Sequence, residues 1–243
     1  MKFTVFLSGF LLLFLLTNWT ESVEDDHVDT ETLAHIIGFF ENNYKRVDND
    51  GHPRQYAVAI NVPKNQCQQN FKPNVDNFLT QEKAEKVKTD IKDEKNALYQ
   101  GKELIAAGTR KVVNKSNQFN IHSESLLLNP PDTSPMTNLL NKRKDGCSVF
   151  YTFESPCVQS CLNLTRDHNI IKGLEKWKEH NGIKAFVFKN FWKFDKKEDL
   201  QTKFKQIVAN VPLYRCESEN ECYACGGEGN TPIDQHCLPQ KQN

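Results

Sequence analysis

The sequence lacks a net charge, and apart from its first residues it lacks a long apolar run. Lys and Arg number 31, Asp and Glu also number 31, and the formal net charge at pH 7 is zero. Such a chain has no global field that attracts nucleic acid or an anionic membrane, so any such attraction must come from a local patch. After residue 16 no segment approaches 18 consecutive apolar residues, so we expect no membrane anchor in the mature chain.

The only long apolar run is at the N-terminus, where residues 1–16 read MKFTVFLSGFLLLFLL. The run is too short to span a bilayer, and its single lysine followed by apolar residues is typical of a secretory signal peptide. The small residues Thr20 and Ser22 place the predicted cleavage before Val23. The sequence therefore predicts a signal peptide over residues 1–22 and a secreted, extracellular product.

Residues 23–243 are enough for one domain with a substantial core. Strand-like segments at 55–62, 147–153 and 183–188 alternate with helix-like segments, which predicts an α/β layered fold. We expect a domain over residues 23–215, with a polar, solvated insertion at about 64–97. Residues 216–243 are rich in Gly and Cys, and we expect them to form a disulfide-bonded tail without core-forming runs.

Two short motifs carry the strongest chemical signal. The stretch FNIHSESLLL contains His122 and Glu124, and FESPCVQSC contains Pro156, Cys157 and Cys161. Pro156 favours a helix start, and on a helix cysteines at i and i+4 present both sulfurs to one side in the first turn, where the helix dipole favours thiolate. With one imidazole from elsewhere they make a three-ligand zinc set, whose fourth position is left to water as in catalytic zinc sites. Zinc would lower the pKa of that water toward neutrality.

Glu124 adds a function that metal binding alone does not need. Residues i and i+2 do not share a helix face, so we expect His122 at the start of the helix, before the backbone winds. From there Glu124 could approach the water on the metal without being a ligand, take its proton and pass it to a departing amine. In this order the two motifs resemble the zinc deaminase signature H-x-E…P-C-x-x-C.

The chain resembles the cytidine deaminase-like fold and, within it, the AID/APOBEC-like deaminases, over about residues 30–211. Its signal peptide suggests their secreted branch, the secreted novel AID/APOBEC-like deaminases. The resemblance implies a three-layer fold with a mixed sheet of about five strands flanked by helices. It also implies one zinc ion per chain held by His122, Cys157 and Cys161, with Glu124 as the proton shuttle. The implied reaction is hydrolytic deamination of cytosine in single-stranded DNA or RNA, with a role in immunity.

The segment KNFWKFDKKEDL resembles the family's aromatic loop, which cradles the target base. Its side chains would offer stacking faces beside phosphate-seeking charge: Phe191, Trp192, Lys193 and Phe194. The resemblance further implies that backbone near Ser155 bonds the amino group of the base. The family's Ser-Trp-Ser-Pro-Cys reads Phe-Glu-Ser-Pro-Cys here, so Glu154 replaces the tryptophan that stacks beside the base.

Two other functions stay open at this stage. One is a deaminase of free nucleosides or nucleotides, with a pocket closed by loops or neighbouring subunits. The other is an inactive secreted binding module, in which disulfides stabilise the same scaffold. Metal content separates the second from both enzymes, and the length of the accepted substrate separates the enzymes from each other. The oligomeric state is open as well.

The remaining cysteines are an even set of six, which in an oxidising compartment favours three disulfides without fixing their pairing: Cys67, Cys147, Cys216, Cys222, Cys225 and Cys237. Cys147 opens a buried strand and is alternatively a free core thiol. The tail group of Cys222, Cys225, His236 and Cys237 is alternatively a second zinc site. Asn114 and Asn163 begin Asn-x-Ser/Thr sequences and are candidate glycosylation sites.

Overall fold

The computed structural model describes residues 27–114 and 117–240, so the predicted signal peptide, residues 1–22, lies outside the described residues. The helices are α1 Thr30–Tyr44, α2 Ala84–Lys92, α3 Ser123–Leu128, α4 Pro135–Asn141, α5 Ile171–Lys178 and α6 Lys197–Val208. The strands are β1 Ala57–Val62, β2 Leu98–Gln100, β3 Leu104–Ala107, β4 Arg110–Val113, β5 Gln118–Ile121, β6 Cys147–Glu154, β7 Ile183–Asn190, β8 Leu213–Ser218 and β9 Glu221–Ala224.

Seven of these strands form one mixed sheet in the order β2-β3-β1-β6-β7-β8-β9. Strands β6, β7 and β8 run parallel, and the other pairs in the sheet are antiparallel. The predicted mixed sheet flanked by helices is therefore confirmed, with seven strands where about five were expected. The sequence analysis did not identify β2, β8 or β9. Strands β2 and β9 have three and four residues, too few for a clear pattern, and β8 runs into the segment that was expected to be an irregular tail.

The sheet lies between two layers of helices because its central strands bury both faces. On β6, Val149 and Tyr151 face one core and Phe150 faces the other, so the strand reads as a continuous apolar run. Helices α1 and α2 cover the core that contains Val149, and α3 to α6 cover the core that contains Phe150. This is the predicted three-layer α/β architecture.

The predicted and observed helix boundaries agree best where apolar periodicity and a capping residue occur together. Asp29 caps α1, since its Oδ1 accepts a hydrogen bond of 2.8 Å from the backbone N–H of Thr32. Leu33, Ile36, Ile37 and Phe40 of that helix are buried, as their spacing predicts. Helix α6 spans the whole of KEDLQTKFKQIV, the segment whose pattern predicts it.

The predicted solvated insertion at 64–97 is wrong in part, because this segment packs against one face of the sheet. Phe78 and Leu79 are buried, and Val87 and Ile91 of α2 pack into the same core as α1. These four apolar side chains are spaced among many charges, which hides them from a composition-based analysis. Cys67 lies in a short 3-10 turn of this segment and forms a disulfide with Cys147. The alternative of a free Cys147 thiol is therefore wrong.

The chain leaves the sheet after β3, and the break coincides with Gly108. A Cβ at this position would lie 2.1 Å from the backbone oxygen of Ile91, so only glycine fits against α2. Strand β4 then pairs with β5 as a separate two-stranded hairpin, in which Arg110 lies opposite Ile121. Strand β5 ends at Ile121, so the hairpin leads directly into His122 at the start of α3.

The predicted tail is continuous with the domain. Strand β8 crosses the expected boundary at residue 215, and β9 adds to the edge of the sheet. Contrary to the expectation of a tail without core residues, Ile233 and Leu238 are buried against the α3–α6 side. Disulfides join Cys216 to Cys222 and Cys225 to Cys237, so these sulfurs are not available for the alternative second zinc site.

Within the described ranges, none of the helices combines the length and the apolar content that a membrane crossing requires.

The disulfides differ in the length of chain that they close, and this predicts a difference in stability. Cys67 and Cys147 are separated by 80 residues, whereas Cys216 and Cys222 are separated by 6. Replacing both partners of the first by Ala is expected to reduce the free energy of unfolding by about 4 kcal/mol, and of the second by about 2 kcal/mol. Urea denaturation of both double variants measures the difference. Equal losses would contradict the loop-closure explanation.

Candidate metal centre and its pocket

Three ligand-type side chains converge beyond the carboxyl end of β6. His122 is the N-cap residue of α3, and its extended backbone (φ −72°, ψ 152°) confirms the predicted position at the helix start. Cys157 and Cys161 follow the end of β6 and are both buried. The His122 Nδ1 atom lies 3.6 Å from the Cys157 Sγ and 3.4 Å from the Cys161 Sγ.

The local structure at the cysteines differs from the sequence prediction, because no helix begins at Pro156. The H-x-E…P-C-x-x-C signature has two residues between its cysteines, and this chain has three, Val158 to Ser160. The chain accommodates the extra residue in a wide turn, closed by a 3.0 Å bond from the Leu162 N–H to the Cys157 carbonyl. The predicted contribution of a helix dipole to the thiolate is therefore wrong.

The Cys157 thiolate is stabilised by its neighbours instead. A hydrogen bond from Cys161 and a second from His122 lower the pKa of Cys157 to about 4, against the opposing effect of burial. The same contact raises the pKa of His122 to about 9. The hydrogen bond to Cys157, together with burial, raises the pKa of Cys161. The negative charge of the Cys157 thiolate is therefore balanced by the positive charge of His122. A bound metal cation would provide the same balance.

The spacing of the three atoms fits a metal ion. Tetrahedral zinc with Zn–N and Zn–S bonds of ordinary length separates a nitrogen from a sulfur by about 3.6 Å. The two measured separations are 3.4 and 3.6 Å, and all three ligand atoms lie within 4.8 Å of one another. The predicted set of His122, Cys157 and Cys161 can therefore hold a metal ion without rearrangement of its side chains.

Glu124 lies beside this cluster and is fixed by three hydrogen bonds. Its side chain is buried, with the Oε1 atom accepting bonds from Gln55 Nε2 (3.0 Å) and Thr152 Oγ1 (3.1 Å). The Ser123 hydroxyl donates to the other oxygen at 3.0 Å. Burial raises the pKa of Glu124, while the positive charge of His122 opposes that rise. A carboxyl group held in this way can accept and return a proton at a fixed position.

Gln55 is a site residue that the sequence analysis missed. Besides donating to Glu124, its Nε2 donates to Thr152 Oγ1 at 2.8 Å, and its Oε1 accepts from the Glu154 N–H at 2.8 Å. The contacts follow from strand register: Ala57 pairs with Thr152, so the residue two before Ala57 faces the residue two after Thr152. Only the pairing of β1 with β6 would have indicated that Gln55 lies at the site, and the sequence alone does not show that pairing.

Glu154 brings a second carboxylate to the pocket. It is half-buried, and both burial and the charge of Glu124 raise its pKa, whereas Lys193 lowers it. The acid that replaces the family's tryptophan therefore lies within electrostatic range of the proposed proton shuttle.

Trp192 is the residue of the predicted aromatic loop that packs beside a metal ligand, and Phe194 packs against Trp192. The Trp192 ring centroid is 6.1 Å from that of His122, and Phe194 meets Trp192 edge-on at 5.4 Å. Phe194 is 70% exposed, and Lys193 Nζ lies 4.9 Å from its ring centroid. Trp192 and Phe194 therefore offer stacking faces beside His122, with a positive charge from Lys193 at the Phe194 ring. Phe191 instead packs against Phe188 in the core.

Two polar side chains hold the aromatic loop against the turn that carries the cysteines. The Ser155 hydroxyl accepts a 2.9 Å bond from the Trp192 N–H, and the Ser155 N–H donates to the Asn190 carbonyl. Asp195, which the sequence analysis also missed, accepts from the Val158 N–H through both oxygens, at 3.1 and 3.2 Å. Burial raises the pKa of Asp195 to about 6.

The two candidate glycosylation sites lie at the surface. Asn114 is exposed at the end of β4, and the next two residues of its sequence motif lie outside the described residues. Asn163 is half-exposed, and its Oδ1 accepts bonds from the Thr165 N–H and hydroxyl. Glycosylation at either position stays a prediction.

Replacing Gln55 tests whether its amide holds the pocket together. Gln55→Leu leaves the Glu154 N–H without its partner and Glu124 with one bond fewer, so we expect unfolding to become easier by about 2 kcal/mol. The matched control is Gln100→Leu, at an exposed position of β2. Chemical denaturation of both variants gives the comparison. A Gln55 variant as stable as the control would mean that the amide contacts contribute nothing.

Comparison with known proteins supports the assignment of the site. Searches of curated proteins and of solved structures found no match in either set. A family model described as Secreted Novel AID/APOBEC-like Deaminase 1 matches residues 30–241, most of the chain and all the site residues. The chain therefore belongs to the family of Secreted Novel AID/APOBEC-like Deaminase 1.

Proposed function

We propose that this protein is a zinc-dependent hydrolytic deaminase that acts on cytosine. The observation that carries the proposal is the convergence of one imidazole nitrogen and two thiol sulfurs beside a buried carboxyl group, Glu124. Three ligands leave a coordination position open, as catalytic zinc sites do, and a closed structural site has no need of Glu124. Membership of a deaminase family supports the same reaction class.

In the proposed mechanism His122, Cys157 and Cys161 would hold the metal ion. When bound, zinc would supply a nucleophile from water at neutral pH. Glu124 would accept a proton from the attacking water and donate it to the exocyclic nitrogen of the base. The oxygen of the attacking water bonds to C4 of the base, the bond between C4 and the exocyclic nitrogen breaks, ammonia leaves, and cytosine becomes uracil. Gln55, Thr152 and Ser123 keep the carboxyl group in place, so that it does not reorient between the two transfers.

Single-stranded nucleic acid is the substrate that the aromatic loop favours. Trp192 beside His122 and the exposed ring of Phe194 provide stacking faces, and Lys193 provides a charge for a phosphate. A free nucleoside or nucleotide is the second candidate, because Glu154 places a carboxylate where it would repel a neighbouring phosphodiester. Deamination of a single-stranded oligonucleotide compared with free cytidine distinguishes the two. An inactive binding module is the third candidate.

Secretion is part of the proposal. Three disulfides among the described residues are characteristic of proteins made in an oxidising compartment. The family description and the signal-like N-terminal sequence support the same location. Through the family resemblance we further propose a role in immunity, directed at nucleic acid outside cells.

The metal content provides the first test. The protein purified from a secretory expression system should contain one zinc ion per chain, measured by elemental analysis. Cys157→Ser and His122→Ala should each lose it, because each variant removes one of three ligands. The control Cys216→Ser/Cys222→Ser should keep it. Active, folded protein in which mass spectrometry finds Cys157 joined to Cys161 would contradict the proposal.

The variant Glu124→Gln separates an enzyme from a metal-bearing scaffold. Glutamine keeps the size of the side chain and removes its basicity, so zinc content and thermal stability should change little. The rate of deamination should fall at least about a hundredfold, since a positioned acid–base group typically supplies a factor of 10² to 10⁴. Zinc is measured in the same samples as turnover.

Glu217→Gln is the matched control, since this residue lies on β8 at the surface. It should retain full turnover. Equal turnover by the wild type and Glu124→Gln would contradict the mechanism. A wild type loaded with zinc and inactive on oligonucleotides, cytidine and its nucleotides would favour the binding module.

A further inference from the structure

A second cleft lies next to the metal pocket and has a different chemical character. Its volume is about 720 Å³, within the range of small-molecule sites. Its walls come from α3, the segment around Pro130, the 164–169 loop, Lys172 of α5 and the β4–β5 hairpin. Ile121 and Ser125, which flank His122 in the sequence, line the cleft, but none of the three metal ligands does.

The residues that line the cleft carry a net positive charge, although the chain as a whole has a formal net charge of zero. Arg110, Arg166 and Lys172 line it, with Asp167 as the acid among the lining residues. In the described part of the chain, neither Arg166 nor Lys172 forms an ion pair with a carboxylate. Arg110 donates two hydrogen bonds to the Asn96 carbonyl, which leaves its charge uncompensated. The lining therefore carries three cationic side chains against one anionic side chain, and it favours an anion.

The same cleft offers flat and apolar surfaces beside the charge. His168 lines it, and Phe119 stacks on that ring with centroids 6.0 Å apart and an angle of 29° between planes. Leu164, a large apolar side chain of the lining, is 61% exposed, whereas Phe119 lies outside the lining and supports His168 from behind. Pro130 adds a rigid apolar surface to the wall. Stacked rings with a cationic surround are the combination that binds a nucleobase and its phosphate together.

We propose that this cleft binds a nucleoside phosphate at a site separate from the metal pocket. Arg166 and Lys172 contact the phosphate, and the base packs on the surface formed by His168 and Leu164, with Phe119 supporting the other side of the His168 ring. Ser125 and Asn129 also line the cleft, where Asn129 Nδ2 donates to the Ser125 hydroxyl (3.1 Å) and to the Asn169 carbonyl (2.9 Å) and so holds the α3 side of the cleft against the 164–169 loop. The ligand is either a free nucleotide or one nucleotide of a single strand, since both present the same group. The proposal does not depend on deamination.

Calorimetric titration of the full zinc-loaded chain with adenosine 5′-monophosphate, adenosine and inorganic phosphate tests the site. The monophosphate should bind at least tenfold more tightly than adenosine, and its affinity should fall with added salt. The charge-reversal pair Arg166→Glu/Lys172→Glu should weaken it at least tenfold. The matched control pair Lys102→Glu/Lys203→Glu, which lies outside the cleft lining, should change it less than twofold.

Trp192→Ala distinguishes this cleft from the metal pocket, since Trp192 lies against His122. It should leave binding of the monophosphate unchanged. Loss of binding in Trp192→Ala with none in the charge-reversal pair would place the phosphate in the metal pocket and overturn the proposal. So would a wild type that binds no monophosphate.

Two further measurements complete the test. Titrations are made before and after enzymatic removal of N-linked glycans, because Asn163 lies next to Leu164 at the rim, and binding in either sample supports the site. Competition by a single-stranded oligonucleotide at similar nucleotide concentration identifies a strand as the ligand, and its absence identifies a free nucleotide. Because binding is measured without turnover, an inactive chain that binds the monophosphate would refute the proposed deaminase and leave this site intact.

Discussion

The meeting of three ligand atoms beyond the carboxyl end of β6 is the constraint on which the rest of the site depends. His122 reaches that point because it caps α3 with extended backbone, and the same geometry turns Glu124 into the interior two residues later. The cysteines reach it through the turn after β6, which Asp195 and the aromatic loop hold in place. The pairing of β1 with β6 then supplies Gln55, whose amide fixes the Glu124 carboxyl group.

The fold keeps two kinds of cysteine apart. Cys147 begins β6 and is joined to Cys67, whereas Cys157 and Cys161 follow the end of the same strand as free thiols. An eight-residue strand separates its ends by about 23 Å, so exchange between that disulfide and the site thiols requires unfolding. The other disulfides hold the tail against β8 and the core. A protein made in an oxidising compartment can in this way keep thiols available for a metal ion.

The sequence predicts those parts of the molecule that depend on local pattern. The start of α3 at His122, the buried strand from Cys147 and the whole of α6 follow from periodicity, capping and β-branched or aromatic runs. The turn at Cys157 does not, because cysteines four positions apart are compatible with a helix as well as with the observed turn, so the local pattern does not distinguish the two. Gln55 was missed because its role comes from strand register, which joins residues about a hundred positions apart. The core contacts of the tail depend on tertiary packing in the same way.

X-ray absorption at the zinc edge, on protein purified from a secretory host, tests the central claim most directly, because it reads the ligand set itself. The account predicts two sulfur atoms at about 2.3 Å and two lighter atoms, nitrogen or oxygen, at about 2.0 to 2.1 Å. That pattern corresponds to two cysteines, one histidine and one open position taken by solvent. A first shell of four sulfurs, or one without sulfur, would contradict the account.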